Sequence, residues 1–267
     1  MSKKRFFYGK YYKCIADDGY SFALIDSESN DGLAKQFITP DGSYQIEDVS
    51  QIKVTDNELI FDVSNDDITL KGSVKMSDFH PLKRSAMGPF KMLAGIMECS
   101  HDIYSMYHKL EGNIEINGVN HSFKEAYGYI EGDKGVNFPD KYIWYNSVGK
   151  NYGVTLAIAT IPIAFIHFTG LLGFVSYEGK EYYICTYTGG KRVKVSPEEI
   201  IVKKGKYQLR IAIEELGGHL LKAPQNGSMK RYIKENLATP TKVYLTYDGK
   251  EILTREDKIS SLEYMFD

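Results

Sequence analysis

The stretch 151-NYGVTLAIATIPIAFIHFTGLLGFVSY-177 contains no Lys, Arg, Asp or Glu and is long enough in principle to cross a bilayer as a helix. The architecture turns on whether it is helix or strand. Val154, Leu156 and Ile158 alternate with smaller residues, which is the two-residue period of a strand, and the run is rich in β-branched side chains. Pro162, Gly170 and Gly173 would divide it into pieces of strand length. The run therefore predicts two or three strands buried on both faces, with a membrane-inserted helix as the competing reading.

The sequence around this run is built of hairpins. Turn signals separate strand-like runs at Asp56-Asn57, Asn117-Gly118, Glu178-Gly179 and Asp248-Gly249. Between them the residues alternate, as in Ile114 and Ile116 against Glu115, the pattern of a half-buried antiparallel strand. Tyr (21) and Phe (13) are abundant, which together with the turn spacing argues for an all-β barrel or sandwich rather than βαβ units. Helix signals are few. In 227-GSMKRYIKENLATP-240, Met229, Ile233 and Leu237 share one helical face, yet the same letters alternate as a strand, so both readings stand. The segment 80-HPLKRSAMGPFKMLAG-95 has no clear period and reads as a long connection or lid.

A chain of 267 residues is large enough for one big β domain or two modest ones, each with a real core. The formal net charge of -2, with Lys and Arg dispersed, provides no basic field for nucleic acid. Three widely spaced cysteines, Cys14, Cys99 and Cys185, suit free thiols in a reducing compartment better than a disulfide framework. The segment MSKKRFFYGKYYKC lacks the apolar core of a secretory signal, so the expected location is cytoplasmic. The motifs of zincins, dinucleotide-binding folds, P-loops and nucleophile elbows are absent. The six histidines are scattered, and His101 and His108, seven apart, would face opposite sides of a strand, which makes a joint metal site weak. No metal and no cofactor is expected.

The richest segment for chemistry is 125-EAYGYIEGDKGVNFPDKYIWYNS-147. Glu131 and Asp133, two apart, point to one face of an extended chain, and either a proton-donating role or a turn-fixing role fits such a pair. Trp144, the only tryptophan, is either a core anchor or a ligand-stacking wall. His101 and Ser105, four apart, are expected on one strand face. Arg231 and Glu235 read as a neighbouring charge pair.

Taken in order, Pro89-Phe90, Met97-Glu98-Cys99 with His101, Ser105, His108, Leu110 and Gly112, then 127-YGYIEGDKG-135 with Phe138, Pro139 and Trp144, then Ala223-Pro224, Gly227, Arg231 and Glu235 resemble the tocopherol cyclase-like proteins, relatives of the carotenoid hydratases. The resemblance runs through most of the chain. It implies an all-β fold of two packed lipocalin-like antiparallel β-barrels, which we place at residues 1–126 and 127–267. It also implies a cavity for a hydrophobic small molecule (an isoprenoid, quinone or lipid), compatible with peripheral membrane contact. For the characterised members it implies protonation of a prenyl double bond and capture of the cation by a phenol oxygen or water. Carried onto this chain, Glu131 or Asp133 would be the proton donor, with Tyr127, Tyr129, Trp144, His101 and Ser105 around the ligand. Lys134 stands where the family pattern GYIEKDWG has a tryptophan, and an ammonium approaching either carboxyl group would lower its pKa. The alternative is a non-catalytic lipocalin-like lipid-binding or interaction module.

Overall fold

The two-residue corners form where the sequence supplies residues that tolerate positive φ. Asn117-Gly118 (φ 50 and 81), Glu178-Gly179 (φ 48 and 75) and Asp248-Gly249 (φ 51 and 77) each take the left-handed pair that a tight hairpin needs, and Asn226-Gly227 (φ 54 and 77) adds a fourth. The computed structural model describes residues 6–93, 97–163 and 166–266.

The first sheet uses β1 (Phe7–Ile15), β2 (Ser21–Ser29), β3 (Gly32–Thr39), β4 (Gly42–Ile46), β5 (Ile52–Val54), β6 (Glu58–Ser64), β7 (Thr69–Ser77), β8 (Cys99–Ile116) and β9 (Val119–Gly135) in the order β4-β3-β2-β1-β9-β8-β7-β6-β5. The second uses β10 (Lys141–Gly149), β11 (Tyr152–Ile163), β12 (Ile166–Tyr177), β13 (Lys180–Tyr183), β14 (Lys191–Ser196), β15 (Glu199–Lys204), β16 (Tyr207–Ile213), β17 (His219–Gln225), β18 (Ser228–Tyr247) and β19 (Lys250–Met265). Its order is β13-β12-β11-β10-β19-β18-β16-β15-β14, with β17 paired to β18. All pairings are antiparallel, and each sheet curls about its own core, as expected of a lipocalin-like two-barrel fold. The chain passes from one sheet to the other between Gly135 and Lys141, so the 126/127 division falls inside β9.

The apolar run forms β11 and β12, paired residue for residue from Tyr152 opposite Tyr177 to Ile163 opposite Ile166. The helical reading is thereby overturned, and among the described residues no helix is long and apolar enough to cross a membrane. The breaks expected at Pro162, Gly170 and Gly173 do not occur. Pro162 lies exposed near the end of β11, opposite His167, and Gly173 stays in the strand because its bare Cα lets the Ile184 amide reach its carbonyl at 2.8 Å. The open question over 227–240 resolves as strand, since the whole segment from Ser228 belongs to β18. The expected connection over 80–95 carries a 3₁₀ turn at Gly88–Leu93, while residues 94–96 lie outside the described residues. The three thiols are free.

A third apolar layer lies between the sheets and explains why the central strands read as nearly continuous apolar runs. In β1 and β2, Tyr12, Cys14, Phe22 and Leu24 enter the first sheet's own core, whereas Tyr11, Ile15 and Ala23 face the other sheet. In β10, Ile143 and Tyr145 enter the second sheet's core while Tyr142, Trp144 and Val148 face the first. Close approach of the sheets needs a glycine at one point. A Cβ at Gly153 of β11 would sit 2.2 Å from the Met106 carbonyl oxygen of β8. Backbone cannot yield there as a flexible side chain would. Gly153→Ala should therefore destabilise the fold by about 2 kcal/mol or more, read as a lower midpoint in urea unfolding.

Candidate functional site

The inter-sheet layer is polar at its centre. Three glutamates lie there, Glu131 on β9, Glu235 on β18 and Glu263 on β19, at 5%, 0% and 8% exposure, values at which an unpartnered charge is expensive. Each accepts a tyrosine hydroxyl: Tyr129 on Glu131 Oε2 at 2.5 Å, Tyr11 on Glu235 Oε1 at 2.5 Å, and Tyr142 on Glu263 Oε2. Two donors cross the layer. Tyr11 belongs to the first sheet and bonds the second sheet's Glu235, while Trp144 of the second sheet donates Nε1–H to Glu131 Oε2 of the first at 2.8 Å. Between them the Tyr11 and Trp144 rings meet edge to face at 5.1 Å.

Strand register places these groups side by side. Tyr11 is opposite Glu131 on β1 and β9, Trp144 is opposite Glu263 on β10 and β19, and Glu263 is opposite Glu235 on β19 and β18. His101 stands between two carboxyl groups, with Nδ1 at 3.1 Å from Asp133 Oδ1 and Nε2 at 3.5 Å from Glu131 Oε2, the latter too loose for a hydrogen bond. The ligating atoms of His101, Glu131 and Asp133 lie within 4.8 Å of one another, so among the described residues these three form a group that could hold a cation. Because the two ring nitrogens face different carboxylates, the arrangement suits a proton shared along Asp133–His101–Glu131.

Burial raises the Glu131 pKa to about 7. The neighbouring His101 opposes that rise, Asp133 adds to it, and the Tyr129 and Trp144 hydrogen bonds oppose it. Burial likewise raises Glu235 to about 7 against the Tyr11 hydrogen bond and Lys13, and it pushes Glu263 well above the usual carboxyl range with help from Glu235 and Glu131. For His101, burial favours the neutral ring, but Glu131 and Asp133 outweigh it and lift the pKa to about 9.

A cavity of about 160 Å³ opens onto these groups between the sheets. Its apolar wall includes Phe7, Ile25, Phe138, Ala159, Leu172 and Ile233, and its polar wall includes Tyr11, His101, Glu131, Asp133, Tyr142 and Glu263. The volume is close to the roughly 150 Å³ that receives one benzene-sized ring.

The expected site residues fare differently. Glu131, Asp133, His101 and Trp144 come together at the cavity, and Trp144 is at once an anchor between the sheets and part of the wall. Tyr129 backs the Glu131 carboxyl group from behind. Tyr127 does not reach the cavity: it shares the face of Glu131 but lies four residues, about 13 Å, further along the strand. Ser105 is also displaced. A bulge between Ile103 and Ser105 reverses the side-chain parity of β8, so Ser105 faces away from His101 and bonds the Tyr107 carbonyl and the His80 amide. Lys134 is exposed and, in the regular register of β9, faces the opposite way from Glu131 and Asp133, so the expected approach of an ammonium to the acid pair does not arise. Arg231 and Glu235 do not pair: the guanidinium bonds the carbonyls of Phe138, Pro139 and Asp140.

Sequence reasoning missed Tyr11, Tyr142, Glu235 as a buried acid, and Glu263. A signal was present in β18, where Glu235 falls between Ile233 and Leu237 at a position of the buried alternation; in β19 residues 260–263 are all buried, so alternation does not single out Glu263.

Neither a family profile nor a curated protein sequence matches the chain. Solved structures do. CghA with Sch210972 aligns at a TM-score of 0.62 and 8% identity, covering 99% of this chain and 89% of that one. Kievitone hydratase from Nectria haematococca aligns at 0.53 and 8% identity over 97% and 89% of the two chains. A putative AttH from Nitrosomonas europaea aligns at 0.53 and 11% identity over 100% and 94%. The likeness is one of fold.

The buried glutamates make stability depend on pH in a defined sense. Between about 4.5, the ordinary value, and about 7, the folded protein keeps the Glu235 proton while the unfolded chain releases it, so this contribution is lost as pH rises through that window. Glu235→Gln removes the dependence and keeps an acceptor for Tyr11. Its stability relative to wild type should rise from pH 5 to pH 8 by on the order of 1–3 kcal/mol, measured by urea unfolding at both pH values.

Proposed function

We propose that the protein binds a hydrophobic small molecule, isoprenoid or quinone-like, in the inter-sheet cavity and catalyses acid-promoted cyclisation or hydration of a prenyl double bond. The observation that carries this reading is the arrangement of Glu131. Its donors, Tyr129 and Trp144, both bond Oε2, and among the described residues none is directed at Oε1. A neutral carboxyl group held by its carbonyl oxygen has its O–H free, and a pKa of about 7 leaves a large protonated fraction at neutral pH.

In this mechanism Glu131 Oε1 gives its proton to the alkene carbon, and the tertiary cation forms beside the faces of Trp144 and Tyr11. A phenol oxygen of the ligand, or water, then forms the new C–O bond and releases a proton. The His101–Asp133 pair restores the proton on Glu131. The apolar wall excludes bulk water, which would otherwise intercept the cation. The tocopherol cyclase-like resemblance and the fold likeness to a protein named as a hydratase both support this choice of chemistry. The volume is about that of one ring, so the ring and the double bond beside it would occupy the cavity and the rest of a prenyl tail would extend beyond it.

The test is incubation of a panel of prenylated phenols, quinols and quinones with wild type and with Glu131→Gln, which keeps the acceptor but has no acidic proton. Wild type should yield a product of unchanged mass on cyclisation or heavier by one water on hydration. Glu131→Gln should lower kcat by about 10²–10⁴ with little change in ligand binding. In wild type kcat/KM should fall as pH rises through about 7, because the protonated acid is the active form. Equal turnover by wild type and variant would remove Glu131 from the mechanism. Tight binding without turnover by wild type would assign a carrier role instead.

A further inference from the structure

Glu263 is not needed to protonate an alkene, yet it lines the same cavity from the second sheet. No cation holds it as a carboxylate: among the described residues neither Glu263 nor Glu235 forms an ion pair, and the Lys13 ammonium donates instead to the Ile259 carbonyl at 2.5 Å. The two glutamates are directly opposed on β18 and β19, where like charges repel across about 5 Å between Cβ atoms. Among the described residues Glu235 Oε2 is sealed from solvent with no hydrogen-bond partner, a smaller cost for a neutral carboxyl group than for a charged one. Tyr142 donates to Glu263 Oε2, and among the described residues no donor is directed at Oε1, the same disposition as in Glu131 on the facing wall.

We propose that Glu263, held by Tyr142, is a ligand-binding residue that donates a hydrogen bond from a neutral carboxyl group to an acceptor oxygen, so that the site takes apolar molecules bearing a ring carbonyl. This deepens the reading above and rests on its assumption that the cavity receives an apolar prenyl compound. Glu131 and Glu263 then divide the work: one meets the double bond, the other fixes the oxygen-bearing end. A ring carbonyl suits the pole because it accepts without a hydrogen of its own to dispose of, and a cavity of one ring's volume brings that oxygen to the wall. Selectivity arises because an apolar analogue leaves the buried O–H unpaired.

The experiment measures binding rather than turnover, using geranyl-1,4-benzoquinone, geranylhydroquinone and geranylbenzene as probes on the full chain. Wild type should bind the quinone about tenfold more tightly than geranylbenzene. Glu263→Leu should lose that preference while keeping its affinity for geranylbenzene. Glu263→Gln, whose amide still donates, should retain most of it, which separates a donor role from a merely structural one. Equal loss of quinone and geranylbenzene binding in Glu263→Leu would overturn the proposal, as would a wild-type preference for the hydroquinone that Glu263→Leu abolishes, since that is the signature of an accepting group. Failure of wild type to bind any of the three probes would overturn both this proposal and the cavity reading beneath it. Binding of geranylbenzene with no quinone preference would overturn this proposal alone.

Discussion

Among the hydrogen bonds that cross between the sheets, two reach buried glutamates from opposite directions, from Tyr11 to Glu235 and from Trp144 to Glu131, and they hold the site together. Each sheet buries a carboxyl group that it does not satisfy by its own backbone. The other sheet supplies a donor. Separating the sheets would leave both glutamates short of a partner in a layer that water does not fill, and a buried polar group left unpaired costs more than a hydrogen bond gains. The edge-to-face contact of the Tyr11 and Trp144 rings lies between the two bonds and sets their spacing. Gly153 permits the approach, because a side chain there would collide with the Met106 carbonyl.

The same arrangement governs the protonation of the layer. A glutamate in an apolar layer keeps its proton because charging it there is unfavourable, and tyrosine or indole donors stabilise it without supplying the positive charge that would force ionisation. Three such glutamates reinforce one another, since each charge would raise the cost of the next. His101 is the exception. Flanked by Glu131 and Asp133, it is the one cation of the polar wall whose charge the carboxyl groups favour over its burial, and it connects the buried acid to the half-exposed Asp133.

Much of the fold is legible in the sequence. The alternation in Val154, Leu156 and Ile158 identifies strands, and Asn-Gly and Asp-Gly corners mark hairpins, because both are local consequences of side-chain direction and permitted φ. The approach of Glu131 to Asp133 on one face follows from their spacing, and the segment that holds Trp144 stands out by its composition. The readings that fail do so for local reasons too. The parity that joins His101 to Ser105 assumes a regular strand, and one bulge in β8 reverses it. The threat from Lys134 assumes proximity in space from proximity in sequence, although adjacent residues in a strand face opposite ways.

Strands, hairpins and one half of the site are written into the chain locally, since periodicity, turn residues and the Glu131–Asp133 spacing act over a few neighbours. Packing of the two sheets alone brings Glu235 and Glu263, more than a hundred residues away, to complete the polar layer, with Tyr11 and Tyr142 as their donors. Whether a glutamate at a buried position is charged or neutral depends on how the opposing sheet buries it and on which charges and donors come near. That is a property of sheet against sheet, and strand periodicity carries no record of it.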